Sequence, residues 1–331
     1  GTDVVRDREG DFLVLEDNCR SPSGVSYVVE NRHLMQRAFP DLMRGLKLRP
    51  VSNYAKQLLA KLREVAPAGI DEPSVVLLSP GIFNAAYFEH VFLAREMGVP
   101  LVEGRDLAVE NDRLFVHTIA GLAPVHVVYR RINDEYLDPT AFDPSSLLGV
   151  PGILRAALKG NLTLANAIGT GVADDKAVYA YVPRLIRYYL SEEPILHNVE
   201  TNICREPDAL AYTLANLDKL VLKPVGESGG YGIVIGPKAS AKELQEAADR
   251  LKSDPGNYVS QPMIDLSVAP TLTESGARPR HVDLRPYAVT GRDTWVLPGG
   301  LTRVALREGS MIVNSSQGGG TKDTWVLADD A

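Results

Sequence analysis

Cysteine, positive charge and long apolar runs are all scarce in this sequence, and each scarcity removes a class of protein. Two cysteines, Cys19 and Cys204, in 331 residues make no disulfide framework. A chain of this length can bury core enough to need none, so a reducing, cytoplasmic location is expected. No apolar stretch approaches the ~18 residues of a membrane-spanning helix, and no basic-then-apolar leader opens the chain. Lys and Arg number 35 against 42 Asp and Glu, a formal net charge of −7. A field of that sign opposes general binding to nucleic acid or anionic lipid, so neither is expected as a partner. Histidine carries no metal signature: His33, His90, His117, His126, His197 and His281 show no H-x-x-x-H or Cys/His ligand spacing. Met does not open the chain; Gly1 leads straight into a strand pattern, which reads as a fragment of a longer protein or a trimmed N terminus.

What is present is an ordinary globular composition, 45% hydrophobic and 23% charged, with room for one large domain or two to three lobes. Residues 2–6 and 12–16 read as strands around the turn Arg8-Glu9-Gly10-Asp11. Residues 33–66 read as helical, most clearly over 53–66. The order strand 75–79, helix 84–97, strand 99–103 is that of a parallel α/β unit. Residues 113–118 and 125–131 add strands, and a helix opens at Asp174 or Asp175 after a Gly-rich stretch, 146–171. Strands are expected at 219–225, 233–236 and 258–264, and Ser240 with Glu243 forms a capping box for the helix between the last two. Residues 280–314 alternate like an antiparallel meander. Linkers are expected at 65–73 and 265–279, and the fold class is α/β (α+β).

Four motifs carry chemistry. The first is LVLEDNCRSPSG, residues 13–24. If Glu9-Gly10 is a two-residue hairpin loop, Asp3 lies opposite Glu16 and Asn18 shares their face. Three oxygen donors, two of them mutually repelling carboxylates, suit a hard cation such as Mg²⁺ or Mn²⁺. A type I turn over Asp7–Gly10 with Gly in the left-handed region would instead set Asp3 opposite Leu15, splitting the triad unless a second irregularity restores it. Cys19, inside this acidic stretch, has no basic partner and is not expected to be a nucleophile.

The second motif, LVLKPVGESGGYGIVIG, delivers Lys223 from a strand into a loop with Gly226, Gly229, Gly230 and Gly232. Neither a Walker loop nor a dinucleotide fingerprint has this spacing, but a Gly-rich flap between strands can lay backbone N–H groups over phosphates. The third is Lys176 in the first turn of a helix, where a cation opposes the macrodipole and so suggests a separate task, such as holding an anion. The fourth comprises Arg285 and Arg303 on predicted strands, able to bind carboxylate or phosphate bidentately, with Asn314 and Gly318-Gly319-Gly320 beyond. Arg130 and Arg131 in YRRINDEYLDP are either substrate-carboxylate binders or partners of Asp134 and Glu135.

Taken in order, Asp175-Lys176, Lys223-Pro224, Gly226 to Gly232, Gln261 to Ile264, Asp283-Leu284-Arg285 and Asn314 with Gly318-Gly319 resemble the ATP-grasp superfamily of ATP-dependent carboxylate ligases. The element that ordinarily closes that series, here Asp3 with Glu16-Asp17-Asn18 and Arg20, stands first. The sequence therefore resembles the bacterial circularly permuted ATP-grasp proteins, with glutathionylspermidine synthetases as more distant relatives. The resemblance implies a permuted ATP-grasp fold with an α/β lobe, divided as residues 1–30 (metal-binding hairpin), 31–170 (substrate lobe) and 171–331 (ATP-grasp lobes). It implies ATP and Mg²⁺ or Mn²⁺ as cofactors, and a small-molecule or peptide carboxylate and an amine as partners. Asp3, Glu16 and Asn18 would hold the metal. Lys176 and Lys223 would contact the phosphates and the adenine end, the flap (Gly226, Ser228, Gly229, Gly230, Tyr231, Gly232) would close over the phosphates, and Asn314 would belong to the same cofactor site. Gln261, Pro262, Met263 and Ile264 would read adenine; Pro262 stands where many relatives carry an acidic residue. Arg285, Arg303 and Arg20 would stabilise a phosphorylated carboxylate.

Overall fold

The computed structural model describes residues 1–226, 232–311, 313 and 318–328. A central sheet runs in the order His197–Asn198, Phe12–Asp17, Thr2–Arg6, Gly276–Arg285, Leu301–Val304, Gly320–Asp323, antiparallel except that His197–Asn198 lies parallel to its neighbour. Its first hairpin holds both readings of the sequence, one at each end. At the turn, Gly10 adopts φ 96°, and Asp7 Oδ1 accepts from the N–H groups of Gly10 at 2.9 Å and Asp11 at 2.8 Å. That turn sets Arg6 opposite Phe12 and Val4 opposite Val14. Between Val4 and Asp3 the register shifts, leaving Leu15 without an opposite residue, and Asp3 then faces Glu16. The second irregularity restores the pairing that the turn alone would have broken.

A second, antiparallel sheet has the order Asn202–Ile203, Tyr258–Pro262, Leu220–Pro224, Val234–Ile235. Alternation along Leu220–Pro224 sends Leu222 into a core with Cys204, Leu217, Ala247 and Leu251, under the helix Ala241–Ser253, and turns Val221 and Lys223 to the opposite face. The capping box is present: the Ser240 N–H donates to Glu243 Oε2 at 2.8 Å, and the Glu243 N–H donates to Ser240 Oγ at 3.3 Å.

The third sheet is parallel, in the order Leu101–Val102, Val75–Leu78, Val127–Arg130, Thr163–Ala165. Its strand Val75–Leu78 is buried on both faces, as parallel strands are. Val75 and Leu77 pack against the helices Val25–Ala38, Tyr54–Glu64 and Tyr87–Met97, while Val76 and Leu78 face a second core with Leu114, Ile132 and Ile153. Tyr287 and Leu301, from the central sheet's side, belong to the first of these cores, so the parallel unit and the central sheet share one apolar interior.

Two expectations are corrected. Residues 33–66 are not one helix: the chain is helical over Val25–Ala38, Pro40–Arg44 and Tyr54–Glu64, broken at Phe39-Pro40 and before Asn53. The stretch 265–279 is not a linker but carries the strand Val268–Thr273 and the start of Gly276–Arg285, paired as a hairpin. The Gly-rich stretch 146–171 contains the helix Ile153–Leu158 and the strand Thr163–Ala165. Among the described residues no helix is long and apolar enough to cross a membrane.

Candidate active site

The central and antiparallel sheets and the rim of the parallel unit enclose one cavity of about 700 Å³. Asp3, Glu16, Asn18, Arg20, Lys176, Lys223, Gln261, Pro262, Met263, Ile264, Arg285 and Arg303 all line it. These positions lie up to 300 residues apart in sequence and were each singled out there. Gly226 and Gly232 are not among the lining residues; Gly232 has φ 72°, with a would-be Cβ only 2.8 Å from Pro224 Cγ. Ser228, Gly229, Gly230, Tyr231 and Asn314 lie outside the described residues.

At the cavity floor four charged side chains interlock. Arg285 donates through Nε and Nη2 to Asp3 Oδ1 and Oδ2, at 2.5 and 2.8 Å. Arg303 Nη2 donates to Asp3 Oδ2 at 2.7 Å and also bonds Asp283 Oδ2, while its Nε donates to Asp283 Oδ1 at 2.9 Å. The sheet register explains the cluster, since Asp283 faces Arg303 across the ladder and Val4, next to Asp3, faces Leu284. Burial works to raise the Asp3 carboxyl, but Arg285 and then Arg303 overcome it and hold the group at about 2. Asp283 is pushed up by burial against the pull of Arg303, and both guanidiniums are raised by their carboxylates despite burial.

Above this floor stand Glu16, Lys176 and Lys223. Asp175 caps the short helix Lys176–Tyr179, its Oδ1 accepting from the Ala177 N–H at 2.7 Å, and this places Lys176 Nζ at 3.9 Å from Glu16 Oε2. Lys223 is buried, and no hydrogen bond from its ammonium to a described residue is present. Burial lowers its pKa to about 8, Lys176 adding to the effect and Glu16 opposing it. At the strand edge, Gln261 is buried; its Nε2 donates to Thr201 Oγ1 at 2.9 Å while its Oε1 has no partner among the described residues. Val221, Ile233, Ile235 and Met263 supply apolar walls there. The arrangement joins an apolar slot to a cationic throat, which suits a planar base followed by phosphates.

Among the described residues no three His, Cys, Asp or Glu side chains gather as a metal cluster. The oxygen donors are Glu16, Asn18 and Asp3. Among the described residues Glu16 has one ion pair, the 3.9 Å contact to Lys176, whereas Asp3 spends both oxygens on arginines. Two accepted bonds on Oδ2 and one on Oδ1 leave Asp3 a lone pair on Oδ1. The Asn18 Nδ2 is buried without a partner among the described residues, so none of them fixes its carboxamide on that side.

The cavity lining also includes residues that the sequence did not single out. Asp174 Oδ1 accepts from the N–H groups of Cys19 and Arg20, the latter at 3.1 Å, and its Oδ2 lies 3.6 Å from Arg20 Nε. Glu89, on the helix Tyr87–Met97, is buried and reaches the cavity with Tyr27, Ala85 and Ala86. Arg130 and Arg131 are resolved as buried structural groups. Arg130 pairs with Asp134 at 2.6 Å and donates to the carbonyls of Ile132, Asn166 and Ala167; Arg131 pairs with Glu89 at 3.2 Å. Neither lines the cavity. Cys19 presents an exposed edge, but partial desolvation of its thiol, with Asp17 and Asp174 nearby, pushes it up, away from nucleophile chemistry.

The fold and the cavity together define a class built from two antiparallel sheets and an α/β lobe, with the chain's first hairpin lining the cavity between them. The chain belongs to the circularly permuted ATP-grasp family: the model of circularly permuted ATP-grasp type 2 matches residues 1–305. It is 55% identical over its whole length to an uncharacterized protein of Mycobacterium tuberculosis, of which it covers 60%. It is 43% identical, over 98% of its length, to a protein of Frankia alni named "Putative glutamate--cysteine ligase 2-3", of which it covers 38%. The chain thus spans about three fifths of the length of its mycobacterial relatives at 54–55% identity. A solved glutathione synthetase-like effector from Globodera pallida aligns with 98% of this chain and 74% of its own at a TM-score of 0.59 and 13% identity, a likeness of fold alone.

Proposed function

We propose that the cavity is the active site of an ATP-dependent carboxylate–amine ligase. The observation that carries this is the convergence of Glu16, Asn18, Lys176, Lys223, Arg285 and Arg303 on one cavity with an apolar slot at one end. In this reading the adenine lies along Gln261 to Ile264, and Lys176 and Lys223 meet the phosphates. Glu16 and Asn18, with the remaining lone pair of Asp3, would hold Mg²⁺ or Mn²⁺, whose charge offsets that of the triphosphate. Residues 1–30, 31–170 and 171–331 serve as metal-side hairpin, substrate lobe and nucleotide-binding lobes.

The chemistry asks little covalent work of the protein. A substrate carboxylate oxygen attacks the γ-phosphorus, the bond to the β-bridging oxygen breaks, and ADP leaves. An amine then attacks the acyl carbon, loses a proton and expels phosphate, leaving an amide. Arg285 and Arg303, fixed by Asp3 and Asp283, present guanidinium charge where the acyl phosphate forms, and no reorganisation is needed at the moment of reaction. Arg20, which lines the same cavity beside Asp174, would add its charge there. The name carried by the Frankia relative supports an amino-acid or peptide carboxylate and an amine as substrates.

The test is incubation with ATP, Mg²⁺, a panel of amino-acid and peptide carboxylates, and hydroxylamine. Hydroxamate with stoichiometric ADP is expected. ADP with a stable phosphoester would make the protein a phosphotransferase, and tight ATP binding without turnover would make it a non-catalytic nucleotide module.

A further inference from the structure

Two buried charge networks from different sheets meet on three successive residues of the segment that joins the metal-side hairpin to the helix Val25–Ala38. Arg131 Nη1 donates to the Pro22 carbonyl at 2.8 Å. Arg285 Nη1 and the Tyr287 hydroxyl donate to the Ser23 carbonyl, at 3.2 and 2.7 Å. Glu89 Oε2 accepts from the Gly24 N–H at 2.7 Å, and from the N–H and hydroxyl of Ser26 at 3.1 and 2.9 Å. Glu89 and Arg131 are themselves paired, and both are buried. Such a pair costs desolvation on both sides, so as a mere helix cap it is a poor use of a carboxylate where Ser or Asp at the cap would serve.

We infer that Glu89, on the parallel α/β unit, is a positioning residue for the metal side of the cavity. With Arg131 it fixes residues 22–26, and through them the placement of Asn18, Arg20, Ser21 and Ser23, all of which line the cavity. Arg285 ties the same segment to Asp3, so a displacement of Pro22 to Gly24 is felt by the arginine at the reacting end. Glu89 touches no reacting atom in this scheme; it acts through backbone. The inference rests on the ligase-site reading above and adds to it a residue from outside the ATP-grasp lobes.

The experiment compares the wild-type chain with Glu89→Gln, which keeps the size but offers an N–H group where Arg131 or the Gly24 and Ser26 donors need an acceptor. Three readouts are taken: hydrogen exchange of residues 18–26 in nucleotide-free protein, ATP affinity without metal, and Mn²⁺ affinity in the presence of ATP by water-proton relaxation. Exchange in 18–26 is expected to rise at least tenfold with that in Thr2–Arg6 unchanged. Metal-free ATP affinity is expected to stay within twofold while Mn²⁺ affinity drops tenfold or more. Glu89→Asp, which keeps the charge but shortens its reach, is expected to move the same way and replaces Glu89→Gln if that variant does not fold. Unchanged Mn²⁺ affinity despite faster exchange would overturn the inference and leave Glu89 a helix cap. Equal loss of ATP and Mn²⁺ binding would overturn it too. Failure of wild-type protein to bind ATP would remove the site reading itself and the inference with it.

Discussion

Lys223 is the side chain whose protonation the fold tunes most usefully. Its ammonium is stripped of water by burial, and its pKa falls from 10.5 to about 8. If it meets phosphate, the charge it needs is present below that pH and lost above it. In the wild type, kcat/KM for ATP is therefore expected to fall about tenfold per pH unit above pH ~8. Lys223→Arg, charged throughout, should flatten that limb of the profile even if it lowers the plateau. Stability moves the other way: between about 8 and 10.5 the unfolded chain binds the extra proton, so this group's contribution to stability improves as pH rises through that window.

Asp3 and Glu16 face each other in the hairpin yet should fail differently. Asp3 is held at about 2, so it adds stability above about pH 4 that is lost as the pH falls toward 2. Asp3→Asn leaves Arg285 and Arg303 to share Asp283 and is expected to cost about 3–5 kcal/mol in denaturant unfolding, along with activity. Glu16→Gln breaks no comparable network. It should leave stability within about 0.5 kcal/mol while metal-dependent turnover falls ~10²-fold or more. Equal losses of stability in the two variants would refute this division of labour.

At the scale of elements, the start of the helix Val25–Ala38 shows how tightly the lobes are set. Gly24 holds φ 106°, and a Cβ there would stand 2.7 Å from both Leu301 Cδ2 and the Tyr287 hydroxyl. Gly24→Ala is expected to lose about 1–3 kcal/mol through backbone strain and contact, read by thermal or urea unfolding. A shift below 0.5 kcal/mol would mean that the helix start slides freely. Elements of this kind were only partly legible beforehand. Buried strands such as Val75–Leu78 announce themselves as short apolar runs, and the capping box at Ser240 is a local signal. The hairpin Val268–Thr273 with Gly276–Arg285 was hidden because its exposed edge carries no apolar alternation and sets Pro270 opposite Pro279. The bulge at Leu15 was foreseen only as a condition, since turn chemistry fixes one end of a hairpin and tertiary pairing the other. Glu89 was missed because a glutamate within a helix reads as surface charge, and only its contact with Gly24 and Ser26, more than sixty residues away, shows otherwise.

For the whole molecule, the consequence is that one ligand should join elements that the chain order keeps apart. The first eighteen residues supply Asp3, Glu16 and Asn18, the middle of the chain Lys176, the antiparallel sheet Lys223 and Gln261, and the last third Arg285 and Arg303. A nucleotide that binds all of these binds only the folded state, so it stabilises by RT ln(1 + [L]/Kd), about 2.7 kcal/mol at a hundredfold excess over Kd. ATP with Mg²⁺ is accordingly expected to raise the melting temperature by ~5–11 °C, on the scale of 2–4 °C per kcal/mol for a folding unit of 150–250 residues. The shift should be divisible. Chelating the metal is expected to remove the share due to Glu16 and Asn18 and to leave that due to the lysines and the apolar slot. In Glu16→Gln the shift with metal should collapse to the metal-free value, whereas in Lys223→Ala both shifts should shrink together. A shift that persists undiminished after chelation and in Glu16→Gln would place the cation elsewhere than the hairpin, and the meeting of the chain's first strands with its last would then serve the fold alone.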